Sequence, residues 1–316
     1  MKGVFLDRGT FPDSLTIQPP AEITDWREYH QTAPDERLSR LQGCDLAVVN
    51  KVVLDGELID QLPDLKCVAV VATGINNIDL EACHRRGITV VNATGYGTDA
   101  VAEHAVMLML ALNRNLKAYL RDEADQGWSR SPFFCHRVAP IGTLSGQTLA
   151  IVGKGDLGCA TAERARALGM TVIFAERPGS DRVRPGYTAF EEALKTADVI
   201  SLHCPLTDRT HRMINRTTLG WMKPTATLIN TGRGDLVNET DLLEAIEQGR
   251  IGGAGLDVAS QEPPPADHPI WRLARHERVI LTPHVAWASH EAMTRLLNQI
   301  NDKLTGWARG EAVDSL

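Results

Sequence analysis

Short runs rich in Val, Ile, Leu and Ala recur along the chain at 3–6, 46–49, 67–71 and 89–91. A second series follows at 148–152, 171–174, 199–202, 227–229, 253–256 and 279–281. Such runs suit strands covered on both faces, the condition of a parallel sheet flanked by helices. Amphipathic segments separate them, so two series of alternating strands and helices are expected. The fold class is α/β, with two doubly wound parallel-sheet domains. A chain of 316 residues, 43% of them hydrophobic, can bury two such cores.

The second series opens on "TLAIVGKGDLGCATAERARALG", which has the form strand, Gly153-x-Gly155-x-x-Gly158, helix. Glycines there permit a tight turn, close backbone approach to a pyrophosphate, and close helix–strand packing. Phosphate oxygens then meet the N–H groups of a helix that starts at Asp156 and Leu157. The next strand ends at Glu176, 18 residues after Gly158. That spacing suits the acid that accepts from a ribose hydroxyl. A carboxylate there repels a 2′-phosphate and favours NAD over NADP, a preference that the adjacent Arg177 softens. Lys154 does not make the turn a P-loop, because no Lys-Ser/Thr pair closes it.

Chemistry in such a sheet belongs to loops beyond the carboxyl ends of the strands. "LINTGRGD" closes a strand with Thr231, Gly232 and Arg233. "AGLDVASQEPPP" closes one with Asp257, and Glu262 follows before three prolines. "VILTPHVAW" closes one with His284. Taken singly, each has a plain structural reading, since strand-end loops hold many polar residues. Together they form a chemical set. Arginine offers a planar fork to a carboxylate and an adjacent carbonyl. Histidine gives or takes a proton near neutral pH, and a nearby glutamate favours its imidazolium. The prolines restrict the loop that carries Glu262. The set suits hydride transfer to a 2-keto acid.

Composition excludes other classes. A net charge of −7 argues against a nucleic-acid partner or an anionic membrane surface. No stretch reaches the ~18 uninterrupted apolar residues of a membrane span. The opening "MKGVFLDRG" is too short in its apolar run for a signal peptide and reads as a buried strand. Cys44, Cys67, Cys83, Cys135, Cys159 and Cys204 form no CxxC pair. They suit reduced thiols in the cytoplasm, and neither a disulfide frame nor a metal site. In that compartment the glycosylation-like triplets at Asn92, Asn215 and Asn238 carry no meaning. Between the two series, "TDAVAEHAVMLMLALNRNLKAYLRDE" reads as one long helix capped by Thr98 or Asp99. A last helix starts near Ser289.

The chain resembles the D-2-hydroxyacid dehydrogenase family over nearly its whole length. The carriers are "ATGINNIDLEACHRRGITVVN", "GYGTDAVAEH", "GKGDLG", "HCPLTDRTHRMIN", "LINTGRGDLVN", "GLDV", "QEPP" and "TPHVAWAS", in the family's order. The resemblance implies a flavodoxin-like substrate domain, residues 1–98 plus 286–316, clasping a Rossmann cofactor domain, residues 99–285. It implies that Arg233 binds the substrate carboxylate and carbonyl, and that Glu262 partners His284, the acid/base. Backbone N–H groups around Thr73 and Gly74 would hold the carboxylate, with Asn50, Lys51 and Trp287 also on the substrate. Thr98, Cys204, Pro205, Thr210, Thr231, Gly232, Asp257 and His284 match positions on the dinucleotide, beside the glycine-rich turn and Glu176. Homodimers are usual in the family, and one is implied here.

Within the family, "YGTDAVAEH" and "TPHVAWAS" look most like the glycerate dehydrogenase/hydroxypyruvate reductase branch. That implies an NAD(H)-dependent oxidoreductase for hydroxypyruvate/D-glycerate or glyoxylate/glycolate. Glu176 departs from the family's usual aspartate. Glu262 argues against formate, since formate dehydrogenases of this fold carry glutamine beside the histidine. The alternative is an NAD-sensing scaffold like the corepressors of this fold, and compact termini weigh against it.

Overall fold

The structure, a computed structural model, describes residues 1–316 as two compact units, Met1–Gly97 with Ala288–Leu316, and Thr98–Trp287. In the first, β1 (Lys2–Phe5), β2 (Asp25–Glu28), β3 (Leu46–Val49), β4 (Cys67–Val70) and β5 (Thr89–Asn92) form one parallel sheet. Its order is β2-β1-β3-β4-β5, the flavodoxin-like arrangement. The chain turns outward from β1 to β2 and then crosses to β3. A switch point therefore lies between the carboxyl ends of β1 and β3. Every residue of β3 and β4 is buried, which is why apolar runs betray them. The sequence pattern misses β2, because "DWRE" is an edge strand with half-exposed or exposed side chains. Polar residues suit an edge, where they discourage further pairing.

The helix His290–Ala308 completes this unit. Ser289 caps it, its Oγ accepting from the Ala292 N–H at 3.1 Å. Leu296, Leu297, Ile300 and Leu304 bury one face of it, and the helix packs on β4 and β5. Removing each such side chain from water contributes roughly 1.5–3 kcal/mol.

In the second unit β6 (Thr148–Val152), β7 (Thr171–Ala175), β8 (Val199–Leu202), β9 (Thr227–Asn230), β10 (Gly253–Leu256) and β11 (Val279–Leu281) are all parallel. Their order is β11-β10-β9-β8-β6-β7, with a single bridge from Ala175 to Thr188 beyond the edge. The doubly wound α/β class holds for both sheets. Here the switch point falls between the carboxyl ends of β6 and β8.

The helix Thr98–Asn113 lays Ala105, Leu108, Met109 and Leu112 into this core beside Leu149 and Ile151. Gly255 permits that approach, since a Cβ there would lie 3.0 Å from Leu108 Cβ. The long helix expected from the sequence is broken. Asn115 takes φ 49, a conformation asparagine tolerates better than most residues, and the following helix Leu116–Ala124 buries none of its residues. Thr98, Ala286 and Trp287, which the resemblance gives to the substrate domain, group with this unit. Thr98 opens the core helix, the Ala286 N–H donates to Asp257, and the Trp287 indole donates to the His284 carbonyl.

Candidate active site

His284 lies in the loop after β11 with φ 55, a left-handed conformation costly to a residue with a Cβ. Asp257, at the end of β10 and 1% exposed, holds it there. The Asp257 carbonyl accepts the His284 N–H at 2.7 Å. Its Oδ1 accepts from Thr282 Oγ1 at 2.5 Å and the Val285 N–H at 3.0 Å, and Oδ2 accepts the Ala286 N–H at 2.8 Å. Sequence similarity points Asp257 at the cofactor; in the structure both its oxygens serve the main chain of the histidine loop.

His104 extends this network from the helix Thr98–Asn113. Its Nε2 lies 2.9 Å from Thr282 Oγ1. The threonine hydroxyl spends its one proton on Asp257, so it accepts from His104, and the proton sits on Nε2. Burial lowers the His104 pKa from 6.5, against the opposing pull of Asp257. The imidazole is therefore neutral at pH 7.

The His284 ring faces Glu262. Nδ1 lies 2.6 Å from Oε2, while Oε1 accepts the Ala259 N–H at 2.9 Å. An imidazole tied to a carboxylate through Nδ1 leaves Nε2 for a substrate oxygen. About a third of each side chain, 31% and 35%, is exposed, enough for a small molecule to reach the pair.

Arg233 stands on the loop after β9. Asn230, 1% exposed, braces that turn. Its Oδ1 accepts the Gly232 N–H at 3.1 Å and its Nδ2 donates to the Arg233 carbonyl at 2.8 Å. The exposed guanidinium donates to the Gly232 carbonyl at 2.8 Å. Gly234 brings this loop against the one carrying Glu262, because a Cβ there would lie 1.9 Å from the Ala259 carbonyl carbon. Glu239 ties the latter loop down, accepting from the Ser260 N–H at 2.9 Å and its hydroxyl at 2.8 Å. Sequence reasoning misses Asn230, Gly234 and Glu239. For Asn230 and Gly234 the available signal is a polar or glycine residue directly flanking the "TGR" triplet, and Glu239 lies six residues beyond it.

The glycine-rich turn has the shape a dinucleotide needs. Gly153, at φ 108, abuts the end of β8, where a Cβ would lie 2.5 Å from the His203 carbonyl oxygen. At Gly158 a Cβ would fall 1.9 Å from the Gly153 oxygen. At Gly155 a Cβ would meet nothing within 4 Å, and the helix Asp156–Ala167 beginning there has no side-chain cap. Open space in front of uncapped N–H groups fits a pyrophosphate. Asp156 is exposed and Leu157 half-buried in that first turn.

Thr231 adds a buried Oγ1 without a hydrogen-bond partner, a group that a ligand could satisfy. Cys204 is half-buried, and burial pushes its thiol up to about 11, so it stays protonated. Pro205 and Thr210 close a turn on themselves, the Thr210 hydroxyl donating to the Pro205 carbonyl at 2.7 Å. Glu176 differs from its sequence reading. It is 2% exposed and bound to Arg184, not open to a ribose.

In the first unit the switch point is organised by Asp7, another residue the sequence reading passes over. Asp7 accepts the N–H groups of Asn50 at 2.7 Å, Lys51 at 2.6 Å and Val52 at 3.1 Å. Asn50 is buried and its amide donates to Thr10 Oγ1 at 3.0 Å, while Lys51 is exposed. Asn92 is 7% exposed and donates to the Thr73 carbonyl at 2.9 Å, fixing the loop of Thr73 and Gly74.

Comparison with known proteins supplies the family. The family model described as D-isomer specific 2-hydroxyacid dehydrogenase, NAD binding domain, matches residues 106–286. Glycerate dehydrogenase of Methylorubrum extorquens is 43% identical over 311 residues, covering 98% of this chain and 97% of its own. Hydroxypyruvate reductase of Blautia hydrogenotrophica is 32% identical over 286 residues, covering 90% of this chain and 88% of its own. The solved D-lactate dehydrogenase of Aquifex aeolicus, complexed with NAD and lactic acid, superposes with a TM-score of 0.80 at 27% identity, covering 98% and 96% of the two chains. All three carry enzyme names, and none supports the scaffold alternative. No helix is long and apolar enough to cross a membrane. Matches of this length and coverage mean that the chain belongs to the D-2-hydroxyacid dehydrogenase family and is an NAD-dependent oxidoreductase of small 2-hydroxy and 2-keto acids.

Proposed function

We propose that the protein interconverts hydroxypyruvate and D-glycerate, with glyoxylate and glycolate as a second pair. The 2.6 Å contact between His284 and Glu262 carries the reading. In reduction, Arg233 and the N–H groups at Thr73 and Gly74 orient the substrate carboxylate, with Asn50, Lys51 and Trp287 beside it. A nicotinamide cofactor, when bound, would supply the hydride that C2 receives. His284, oriented through Nδ1 by Glu262, gives a proton from Nε2 to the developing alkoxide. Asp257 holds the histidine loop in position, and the Gly153–Gly158 turn holds the pyrophosphate.

Relatives named glycerate dehydrogenase, hydroxypyruvate reductase and glyoxylate reductase support this choice of substrates. A kcat/KM panel of short 2-keto acids with NADH tests it. Hydroxypyruvate or glyoxylate should lead, and a preference for pyruvate or a longer acid would refute the assignment.

The same reading includes a homodimer in the cytoplasm. Met107, Leu110, Leu116, Leu120, Phe133 and Phe134 are exposed, the last at 91%. So large an apolar display on one segment suits burial against a second copy. Light scattering after size exclusion should give twice the chain mass, and a monomer at micromolar concentration would count against it. The six cysteines are all free, which suits a reducing compartment.

A further inference from the structure

A carboxylate that discriminates between dinucleotides must be open to the ribose, and Glu176 is covered. Arg184 closes over it with Nε 2.8 Å from Oε2 and one terminal guanidinium nitrogen 2.7 Å from Oε1. The N–H groups of Arg177 and Arg184 donate to the same carboxylate at 2.8 and 3.0 Å. Arg184 also lies over the Tyr187 ring, 3.9 Å from its centroid. Lys154, the residue between Gly153 and Gly155, lies 5.3 Å from the centre of that same ring. Tyr187 thus connects the masked glutamate to the glycine-rich turn. Three exposed cations belong to this neighbourhood: Arg184 on the carboxylate with 46% of its side chain in solvent, Arg177 next to Glu176 in the chain, and Lys154 against the same Tyr187 ring as Arg184.

We infer that Arg184 masks Glu176 and, with Lys154 and Arg177, lets this site accept a dinucleotide bearing a 2′-phosphate, so that NADPH binds alongside NADH. A 2′-phosphate brings about −1.5 to −2 of charge and strong acceptor oxygens, which a buried, neutralised glutamate does not repel and which Lys154, Arg177 and the Arg184 terminal nitrogen not engaged by Glu176 can meet. The inference rests on the glycine-rich turn being the dinucleotide site.

Equilibrium titration with NADH and NADPH, read by calorimetry or nucleotide fluorescence, tests it without turnover. The two Kd values should agree within about tenfold, or about 1.4 kcal/mol. The fragment 2′,5′-ADP should bind at least as tightly as 5′-AMP. Arg184→Gln exposes the carboxylate and should weaken NADPH by more than about tenfold while NADH holds or tightens. Glu176→Gln releases Arg184 and should tighten NADPH. Wild-type NADPH binding weaker than NADH by more than about tenfold overturns the inference. So does an equal effect of Arg184→Gln on both cofactors. Failure of the wild type to bind NADH at all would instead remove the dinucleotide site itself.

Discussion

Nδ1 of His284 and Oε2 of Glu262 lie 2.6 Å apart, the span of a charge-assisted hydrogen bond. If that imidazole is the proton donor, His284→Ala should lower kcat for ketone reduction by ~10²–10⁴-fold. Steady-state NADH oxidation measures it, and a variant close to wild type would strip His284 of the role.

Glu262→Gln keeps an acceptor near the ring and removes the charge that favours imidazolium. Reduction needs the protonated ring, so the alkaline limit of the pH–rate profile should move to lower pH. Superimposable profiles for the two proteins would take Glu262 out of the chemistry.

Arg233→Lys retains a cation and loses the planar fork. Keto-acid binding and orientation should suffer together, seen as a higher KM and a lower kcat. Unchanged constants on the best substrate would contradict the assignment.

Gly234→Ala tests how the two catalytic loops meet. Its new Cβ would sit 1.9 Å from the Ala259 carbonyl carbon, a contact that main chain must yield to relieve. The expected cost is about 1–3 kcal/mol, read from the urea midpoint, with a parallel loss of kcat/KM. A wild-type midpoint would mean that the loops part freely.

His104 gives the domain a pH dependence. Burial lowers its folded pKa below 6.5, so the unfolded chain binds the extra proton first. The stability it lends is present above pH 6.5 and is lost as pH falls from there through the lower folded value. Glu176 acts further down. Its hydrogen bonds from Arg184 hold it to about 2 from 4.5, so its contribution is present above 4.5 and disappears toward pH 2. Thermal unfolding of His104→Asn against pH should show a shallower decline just below 6.5 than the wild type. Equal slopes would clear His104.

The strands were legible because a strand covered on both faces must be apolar; β2 was not, because an edge strand escapes that demand. The family resemblance pairs Glu262 with His284, and the structure puts them in contact. Asp7 and Asn230 escaped, and Asp257 was named for the cofactor and not for the histidine loop, for one shared reason. Asp7 and Asp257 serve backbone groups of a neighbouring loop and Asn230 those of its own turn, and backbone acceptors and donors leave no trace in residue type. Glu176 shows the limit of spacing arguments. Its position suits a ribose contact, yet its partner lies eight residues on, in a loop with no periodicity to announce it.

The main chain at 284 is set by Asp257 and the ring is aimed by Glu262, so the two holds are separable. Truncating the side chain should leave the loop standing with an imidazole-sized gap against Glu262. Free imidazole added to the buffer can then enter that gap and restore part of the lost turnover to His284→Ala. The protein would be carrying a fixed socket, and its histidine would be the exchangeable part.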